Sequence, residues 1–493
     1  IRVNWFEIEY PREHRAFENH FNFVSPSNVF NLTRFSVFNW QRDNIKIFIP
    51  QKSEMIINAN ITNDEFKNVF FVDNLNERKE YFCTAEDYYL LPDSIVIDRN
   101  SSDLRNNSNG VDYLIITHSK FLNAANELAE FRRINFPDST IPTPRIQVVN
   151  IDDIYDEFSF GLLNPYAVKD FITYAFNSWI SPSLTYVVLL GDMSYDYRSI
   201  LPNSRPNFMP SLPYHVQPYG QAVSDNNFVS IVGNDIIPDM AIGRLSCETV
   251  EEAAILIEKI KSYPNDPGKN WKQNILLISS GQDQEDEDYF QFNKSNLDLD
   301  NIYLKPNGLV SEKVFRFPSD STQVPYQGGG PEIRQGFNNG AVVASYYGHG
   351  GGYQWDLVFN NDDIYLLQNE NRLPFITSVT CYTAHFDNQD VFGEQFNKVP
   401  GKGCVAFWGS SGLTFWYAGK QLNDRLFRQL FTQKVHVIGK AILNAKSGVG
   451  NNSQVALLTL LGDPILNLTI PDGPDFTINS SNISIIPKYP QKN

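Results

Sequence analysis

The stretch DYLIITH (residues 112–118) decides the fold, because it begins a regular alternation of two patterns. Short apolar runs recur at residues 146–150 and in TYVVLLGD (residues 185–192). Between these runs, apolar residues fall at helical spacing over residues 121–134 and 165–179. Uniformly apolar strands that alternate with amphipathic helices are typical of a parallel sheet covered on both faces. The sequence therefore predicts an α/β fold, in which reactive groups lie beyond the carboxyl ends of the strands.

The same alternation continues in the second half of the chain, whereas the first hundred residues differ. There, short aromatic and β-branched runs such as residues 34–40 and 45–50 predict a β-rich module. A helix with early glutamates and late lysines is predicted over residues 249–263. The tail after residue 471 predicts the first strand of another β module. Further apolar strands are predicted at residues 274–280, 341–347, 373–380, 403–409 and 458–464.

Composition excludes several classes of function. The 493 residues include 56 acidic and 40 basic side chains, a net charge of −16, so a surface that binds nucleic acid is not expected. The longest apolar runs are far shorter than the ~20 residues that a membrane-spanning helix needs. Four cysteines lie far apart and form neither a zinc motif nor a disulfide framework. They are Cys83, Cys247, Cys381 and Cys404.

Two strand ends carry the strongest chemical signal. YYGHGGG (residues 346–352) places His349 among glycines after an apolar run, and FITSVTC (residues 375–381) ends a second run on Cys381. Neighbouring parallel strands would place the imidazole beside the thiol, so that His349 takes the thiol proton and the thiolate attacks a carbonyl. The backbone N–H groups of Gly350 and Cys381 are the candidate oxyanion donors. The alternative is that Cys381 is a small buried apolar residue, as is predicted for the other three cysteines.

These motifs resemble the gingipain-type cysteine peptidases of clan CD. The resemblance rests on VVLLGD (187–192), SDN (224–226), YGHG (347–350), TC (380–381) and LGDP (461–464). It implies a caspase-like α/β peptidase domain of two stacked parallel-sheet subdomains, with His349 as base, Cys381 as nucleophile and no required cofactor. The implied organisation is an N-terminal β-rich module at 1–108, subdomain A at 109–268, catalytic subdomain B at 269–471 and the start of an Ig-like module at 472–493.

The resemblance also implies supporting site residues. Gingipains orient the histidine with an acidic residue that aligns with Gly281 here, so Asp283 is the candidate, or the site works as a dyad. Asp288, at the start of the next helix, and Trp416 are implied to contact the substrate side chain. His385, on the loop after the nucleophile, is also expected to touch substrate. As alternatives, the acidic run at residues 282–288 is a solvated loop or a structural calcium site, and Trp416 is a core residue.

The N-terminal stretch WFEIEYPR (residues 5–12) resembles the region ahead of the peptidase domain in PorU-type members. Those are cell-surface signal peptidases and sortases of the type IX secretion system. The resemblance implies a bacterial surface or secreted location, protein substrates, outer-membrane secretion components as partners, and a lipopolysaccharide amine as acceptor. Two alternatives stay open: a secreted degradative protease of the gingipain type, and an inactive caspase-like scaffold that binds partners. The residues do not choose between hydrolysis and transfer to an amine.

Overall fold

The computed structural model describes residues 12–62, 67–89, 91–95, 102–216, 220–263, 271–280, 288–316, 328–356, 358–450 and 453–471. By its internal contacts the chain divides into two compact units, residues 1–100 and 101–493. The predicted strand at the amino terminus and the predicted module after residue 471 lie outside the described residues.

In its described residues, the first unit forms two small antiparallel sheets, as the alternating aromatic and β-branched runs predicted. Phe35 and Phe71 stack between neighbouring strands of one sheet, and their cluster also contains the fully buried Tyr81 and Cys83 of the other. The sheet orders are β1-β7-β3-β4 and β2-β6-β5. The strands are β1 (His20–Val24), β2 (Leu32–Trp40), β3 (Ile45–Ile49), β4 (Glu54–Ile56), β5 (Asn60–Ile61), β6 (Lys67–Asn74) and β7 (Glu80–Ala85).

The second unit begins with strands and helices in alternation. Its strands at Tyr113–Thr117 and Tyr186–Leu190 are buried at every position, which is why they lack a polar face in the sequence. The sequence predicted the helix over residues 165–179 but missed α2, the helix that precedes it. The reason is that the nine residues of α2 follow a strand without a break. The elements are β8 (Tyr113–Thr117), α1 (Leu122–Ile134), β9 (Ile146–Asn150), α2 (Ile151–Ser159), α3 (Pro165–Ser178), β10 (Tyr186–Leu190), β11 (Leu212–Val216), β12 (Gly220–Ser224), β13 (Ala241–Leu245) and α4 (Val250–Ser262).

The remaining elements carry the predicted histidine and cysteine motifs. A short three-stranded meander and a helical turn connect the strand that precedes His349 to the strand that precedes Cys381. The elements are β14 (Asn274–Ser279), α5 (Asp288–Leu299), β15 (Val310–Phe315), α6 (Gly330–Asn339), β16 (Val343–Tyr347), β17 (Gly350–Gly351), β18 (Gln354–Trp355), β19 (Phe359–Asn360), α7 (Asn361–Tyr365), β20 (Phe375–Val379), α8 (Phe392–Lys398), β21 (Ala406–Ser410), α9 (Trp416–Phe427), α10 (Ile438–Ser447), α11 (Ser453–Leu457) and β22 (Leu458–Leu461).

Both α/β halves share one ten-stranded sheet. Its order is β15-β14-β16-β20-β21-β22-β13-β10-β8-β9. The predicted α/β class is confirmed, but the halves meet edge to edge instead of stacking as two sheets. They join at β22, which pairs antiparallel with β21 and parallel with β13. Gly243 allows this approach, because a Cβ there would lie 2.2 Å from the carbonyl oxygen of Gly462.

The segment before β8 packs on this second unit. The indole N–H of Trp179 donates to the carbonyl of Leu104 at 2.9 Å, and Glu157 accepts from the N–H groups of Leu104 and Arg105. The predicted boundary at residue 108 therefore falls inside the second unit. The run of Asn and Ser just before that boundary forms hydrogen-bonded turns.

Candidate active site

Strand register brings His349 and Cys381 together. β16 and β20 are parallel neighbours, and Tyr347 pairs with Val379 at their carboxyl ends. His349 follows Tyr347 by two residues, and Cys381 follows Val379 by two residues. The two residues thus leave the same edge of the sheet from equivalent positions, as the sequence predicted.

The loops that carry the two residues are in close contact. A Cβ at Gly350 would lie 2.8 Å from the side chain of Thr380, which is closer than real Cβ atoms approach. Glycine after His349 therefore lets the histidine loop lie directly against the residue before Cys381. Any larger side chain would separate the two loops.

The Cys381 thiol is partly exposed. Burial raises its pKa above the ordinary value, and the N–H of Thr414, which donates to Sγ at 3.3 Å, acts in the opposite direction. Sγ lies 3.8 Å from the carbonyl oxygen of Thr414, to which the thiol can donate. A thiol with a raised pKa is protonated at neutral pH, so its attack on a carbonyl requires a base.

The His349 ring lies edge-on to Phe292 of α5, with centroids 5.4 Å apart. Its backbone carbonyl accepts two hydrogen bonds, from the Tyr346 hydroxyl at 2.6 Å and from the N–H of Asp356 at 3.0 Å. The loop that carries the imidazole is thus held from two sides.

Trp416 begins α9 and connects that helix to α5. Its indole N–H donates to the hydroxyl of Ser295 at 3.2 Å, and the ring packs at the margin of the main apolar cluster. Since Phe292 of α5 contacts His349, helices α5 and α9 flank the region beside the two strand ends. Asp288 is the first residue of α5, and its side chain lies outside the described part.

A model of peptidase family C25 matches residues 106–469, almost three quarters of the chain. The chain belongs to peptidase family C25. Gingipain R2 of Porphyromonas gingivalis is 28% identical over 253 residues, which cover 49% of this chain and 31% of that protein. Lys-gingipain HG66 of the same organism is 28% identical over 193 residues, 38% of this chain and 11% of that protein. The chain thus spans between about a tenth and a third of the length of these curated relatives.

The fold is also that of a solved gingipain. The crystal structure of the Arg-specific cysteine proteinase gingipain R superposes with a TM-score of 0.57 and 22% sequence identity, and the match covers 74% of this chain and 79% of that one. The caspase-like α/β architecture expected from the motifs is therefore confirmed. Cysteine peptidase chemistry is the established property of the C25 family.

Within this C25 domain, His385 lies on the loop between Cys381 and α8. Its Nε2 is 2.9 Å from a carboxylate oxygen of the buried Asp387, and its Nδ1 is 2.9 Å from the amide nitrogen of Asn388. Its ring is 5.3 Å from that of Tyr382. His385 therefore has its own carboxylate partner near the nucleophile.

Two predicted features lie outside the described residues. Asp283, the candidate for orienting His349, belongs to the segment 281–287, as does most of the acidic run considered for calcium. β14 itself ends beside β16, where Ser279 pairs with Tyr347 on the opposite side of β16 from β20. Among the residues that the structure describes, no cluster of three His, Cys, Asp or Glu side chains is arranged to hold a metal. Across the same residues, no helix is long and apolar enough to cross a membrane.

Sequence reasoning missed the residues that hold the two loops. Thr414, 33 residues after Cys381, donates its backbone N–H to the Cys381 sulfur. Tyr346 donates its hydroxyl to the carbonyl of His349, and Trp355 stacks on the Tyr346 ring. The one sequence signal for Tyr346 and Trp355 is that each carries a polar group, a hydroxyl or an indole N–H, in apolar surroundings. Buried polar groups of this type need hydrogen-bond partners.

Proposed function

We propose that this chain is a cysteine endopeptidase that uses a Cys381–His349 dyad and has a PorU-like role in processing secreted proteins at the bacterial surface. The observation that supports it best is the register of β16 and β20. Tyr347 pairs with Val379, and the catalytic candidates each lie two residues beyond this pair. Family C25 membership supports the reaction class.

The dyad works by general-base catalysis. Because burial raises the pKa of the Cys381 thiol, His349 removes its proton as sulfur attacks the scissile carbonyl. The N–H groups of Gly350 and Cys381 stabilise the oxyanion. The imidazolium then protonates the leaving amine, which leaves a thioester on Cys381. Water or an amine attacks that thioester, and His349 again accepts the proton.

Three residues are assigned to the substrate. Trp416 and Asp288, which belong to α9 and α5, are the candidates to contact the substrate side chain before the scissile bond, and His385 is the candidate for a further substrate contact. The Trp416–Ser295 bond supports this arrangement because it joins the two helices beside the dyad.

The acidic segment after β14 holds the candidate for a third member, so that the site works as a dyad or as a triad. By analogy with the gingipains this candidate is Asp283, which would orient His349, and the same run is the candidate structural calcium site. A fall in thermal stability on chelation that Asp283→Asn abolishes would assign the run to calcium. A fall in kcat without that calcium effect would assign Asp283 to His349.

The proposed location is the bacterial cell surface or the extracellular space, with protein or peptide substrates. The partners proposed by the PorU resemblance are outer-membrane secretion components and a lipopolysaccharide amine. The β-rich unit ahead of the peptidase domain supports this, because the PorU-type resemblance places such a module there.

The test is a peptide library incubated with an amine acceptor, with Cys381→Ala as the matched control. Products capped by the amine would support the sortase reaction, and free carboxyl ends alone would support a degradative protease. If neither product forms and Cys381 does not react with a peptidyl chloromethyl ketone, the chain is a scaffold and the peptidase proposal is wrong.

A further inference from the structure

A fully buried tryptophan, Trp355, contacts the loop that carries His349. Its ring stacks on that of Tyr346, with centroids 4.5 Å apart and planes at 10°. Its backbone pairs with Gly350 in the small meander that follows the histidine. Trp355 therefore supports this loop both before and after His349.

The stacked tyrosine fixes the histidine directly. The Tyr346 hydroxyl donates to the His349 carbonyl at 2.6 Å and lies 2.6 Å from the hydroxyl of Ser280. The N–H of Asp356, the residue after Trp355, donates to the same carbonyl. Displacement of the indole ring would thus move both groups that hold the His349 peptide.

The same indole is bonded to the strand of the nucleophile. Its N–H donates to the hydroxyl of Ser378 at 2.8 Å, and that hydroxyl is 3.0 Å from the hydroxyl of Thr383. Ser378 precedes Cys381 by three residues, Thr383 follows it by two, and both side chains are fully buried. The N–H group is therefore linked to the chain on both sides of the thiol.

We propose that Trp355 is a positioning residue that sets the distance and orientation between His349 and Cys381. This inference rests on the proposed dyad. An indole is rigid, and it reaches both loops at once through its face and its N–H. Proton transfer between thiol and imidazole needs close alignment, and a misplacement of about 1 Å in a catalytic group costs about 10²-fold in rate.

A packing role alone is the competing explanation. Trp355 also contacts the rings of Phe337, Phe392 and Phe396, so its loss would disturb an aromatic core in any case. Trp408 separates the two roles. It is equally buried, it lies on the strand next to β20, and its N–H has no hydrogen-bond partner among the described residues.

The experiment compares Trp355→Phe with Trp408→Phe. Both remove an indole from the core, but only the first removes a bond to the nucleophile strand. We expect Trp355→Phe to lower kcat by about tenfold or more with little change in KM. The pH profile of Cys381 alkylation by iodoacetamide should shift toward that of His349→Ala. Trp408→Phe should lower Tm to a similar degree but keep the wild-type kcat and alkylation profile.

Equal losses of kcat in the two tryptophan variants, or an unchanged kcat and alkylation profile in Trp355→Phe, would overturn the inference. If Trp355→Phe does not fold, Ser378→Ala gives the decision, since it keeps the ring and removes only the acceptor. It must then show the same lower kcat and shifted profile. Failure of the dyad itself is distinguishable, because wild-type alkylation would then be insensitive to His349→Ala.

Discussion

Cys381 and Cys247 both lie two residues beyond the end of a strand in the same sheet, Cys381 after β20 and Cys247 after β13. Cys247 is fully buried, and burial together with the nearby Asp192 and Glu252 carboxylates raises its pKa far above the ordinary range. Cys381 is partly exposed, and the Thr414 N–H moderates the effect of burial on its pKa. Equivalent positions in the sheet thus hold one fully buried cysteine and one partly exposed cysteine.

The chain after each cysteine explains the difference. Thr249, only two residues after Cys247, caps α4 together with Glu252, so the connection is short and closed. Cys381 is followed by Tyr382 in the left-handed region, with φ of 59°, and by a loop that reaches α8 only at residue 392. A bulky residue held in that conformation marks a site where surrounding structure enforces backbone strain.

The histidines differ in the same way. His118 follows β8, but β10 separates β8 from β13, so the histidine and Cys247 leave strands that are not neighbours. His349 and Cys381 leave adjacent strands. A strand-end cysteine therefore becomes a candidate nucleophile only when the next strand supplies the base and the following loop leaves the thiol accessible.

The largest expected effect comes from replacing each of the two cysteines with alanine in turn. Cys381→Ala should lower kcat/KM for peptide hydrolysis by about 10⁴-fold or more, the scale of losing a nucleophile. Cys247→Ala should keep kcat/KM close to the wild-type value, because the buried thiol contacts no substrate. Iodoacetamide should modify one cysteine of the native protein, and peptide mass spectrometry should locate it at Cys381. Equal labelling of Cys247 would contradict the contrast.

The next effect tests whether the half of the sheet around Cys247 serves stability. Arg244 is fully buried, pairs with Asp225 through two bonds of 2.7 and 2.8 Å, and donates to the carbonyls of Gly191 and Met209. Arg244→Met leaves a buried carboxylate unpaired, so the free energy of unfolding should fall by about 3–5 kcal/mol in urea titrations. The exposed Arg198→Met is the control and should change it by less than ~0.5 kcal/mol.

A pH effect connects the two regions. Glu394 of α8 accepts a hydrogen bond from Ser246, the residue before Cys247, and burial together with the charge of Asp192 raises the pKa of Glu394 to about 8. In the unfolded chain this carboxyl titrates near 4.5. Between these values the folded state holds a proton that the unfolded state releases, so this group makes stability fall as pH rises, by at most about 1.4 kcal/mol per pH unit.

Glu394→Gln tests that assignment, since the neutral amide keeps the shape and removes the titration. Unfolding free energies measured between pH 5 and pH 7 should fall less steeply with rising pH in the variant than in the wild type. The buried Lys259 and Lys446, whose pKa values burial lowers to about 7, add the opposite slope near pH 7, but they are present in both proteins and cancel in the comparison. If the unfolding free energy falls with pH at the same slope in both proteins, the proton that the folded state holds belongs to a group other than Glu394.

The smallest effect is expected at the cap beyond Cys247. Thr249→Ala removes the hydroxyl that accepts from the N–H of Glu252 at 3.1 Å, which should cost about 1 kcal/mol of unfolding free energy. Thr249→Ser keeps the cap and should recover most of it. Neither variant should alter kcat, because this connection contacts no catalytic group. A large loss of activity would show that the closed connection also supports the site.

The sequence predicted the elements that a local residue pattern specifies. The structure adds the pairings between segments that lie far apart in the chain. The apolar runs located β8, β10, β16 and β20, and their spacing predicted the meeting of His349 and Cys381. The position of β22 was not predictable in this way, because a run of leucines says nothing about which strands it joins. The sheet was therefore expected as two stacked parts.

The support around the dyad was hidden for the same reason. Thr414 and Trp355 act through contacts between segments that no local pattern connects, namely a backbone N–H on a loop and an indole in a short meander. By contrast, Gly350 was visible beforehand, because a glycine next to a catalytic candidate signals close approach of two backbones. In the structure, the backbone of Gly350 lies directly against the side chain of Thr380.

β22 lies near the middle of the sheet but is, among the residues that the structure describes, the last of its strands in chain order. Just beyond it, Asp463 bonds to Tyr113 and Arg132, more than 330 residues earlier. During synthesis, His349 and Cys381 leave the ribosome well before the strand that joins the two halves. Contacts so distant in sequence form slowly. The order of the chain therefore delays completion of the ten-stranded sheet until translation has passed β22.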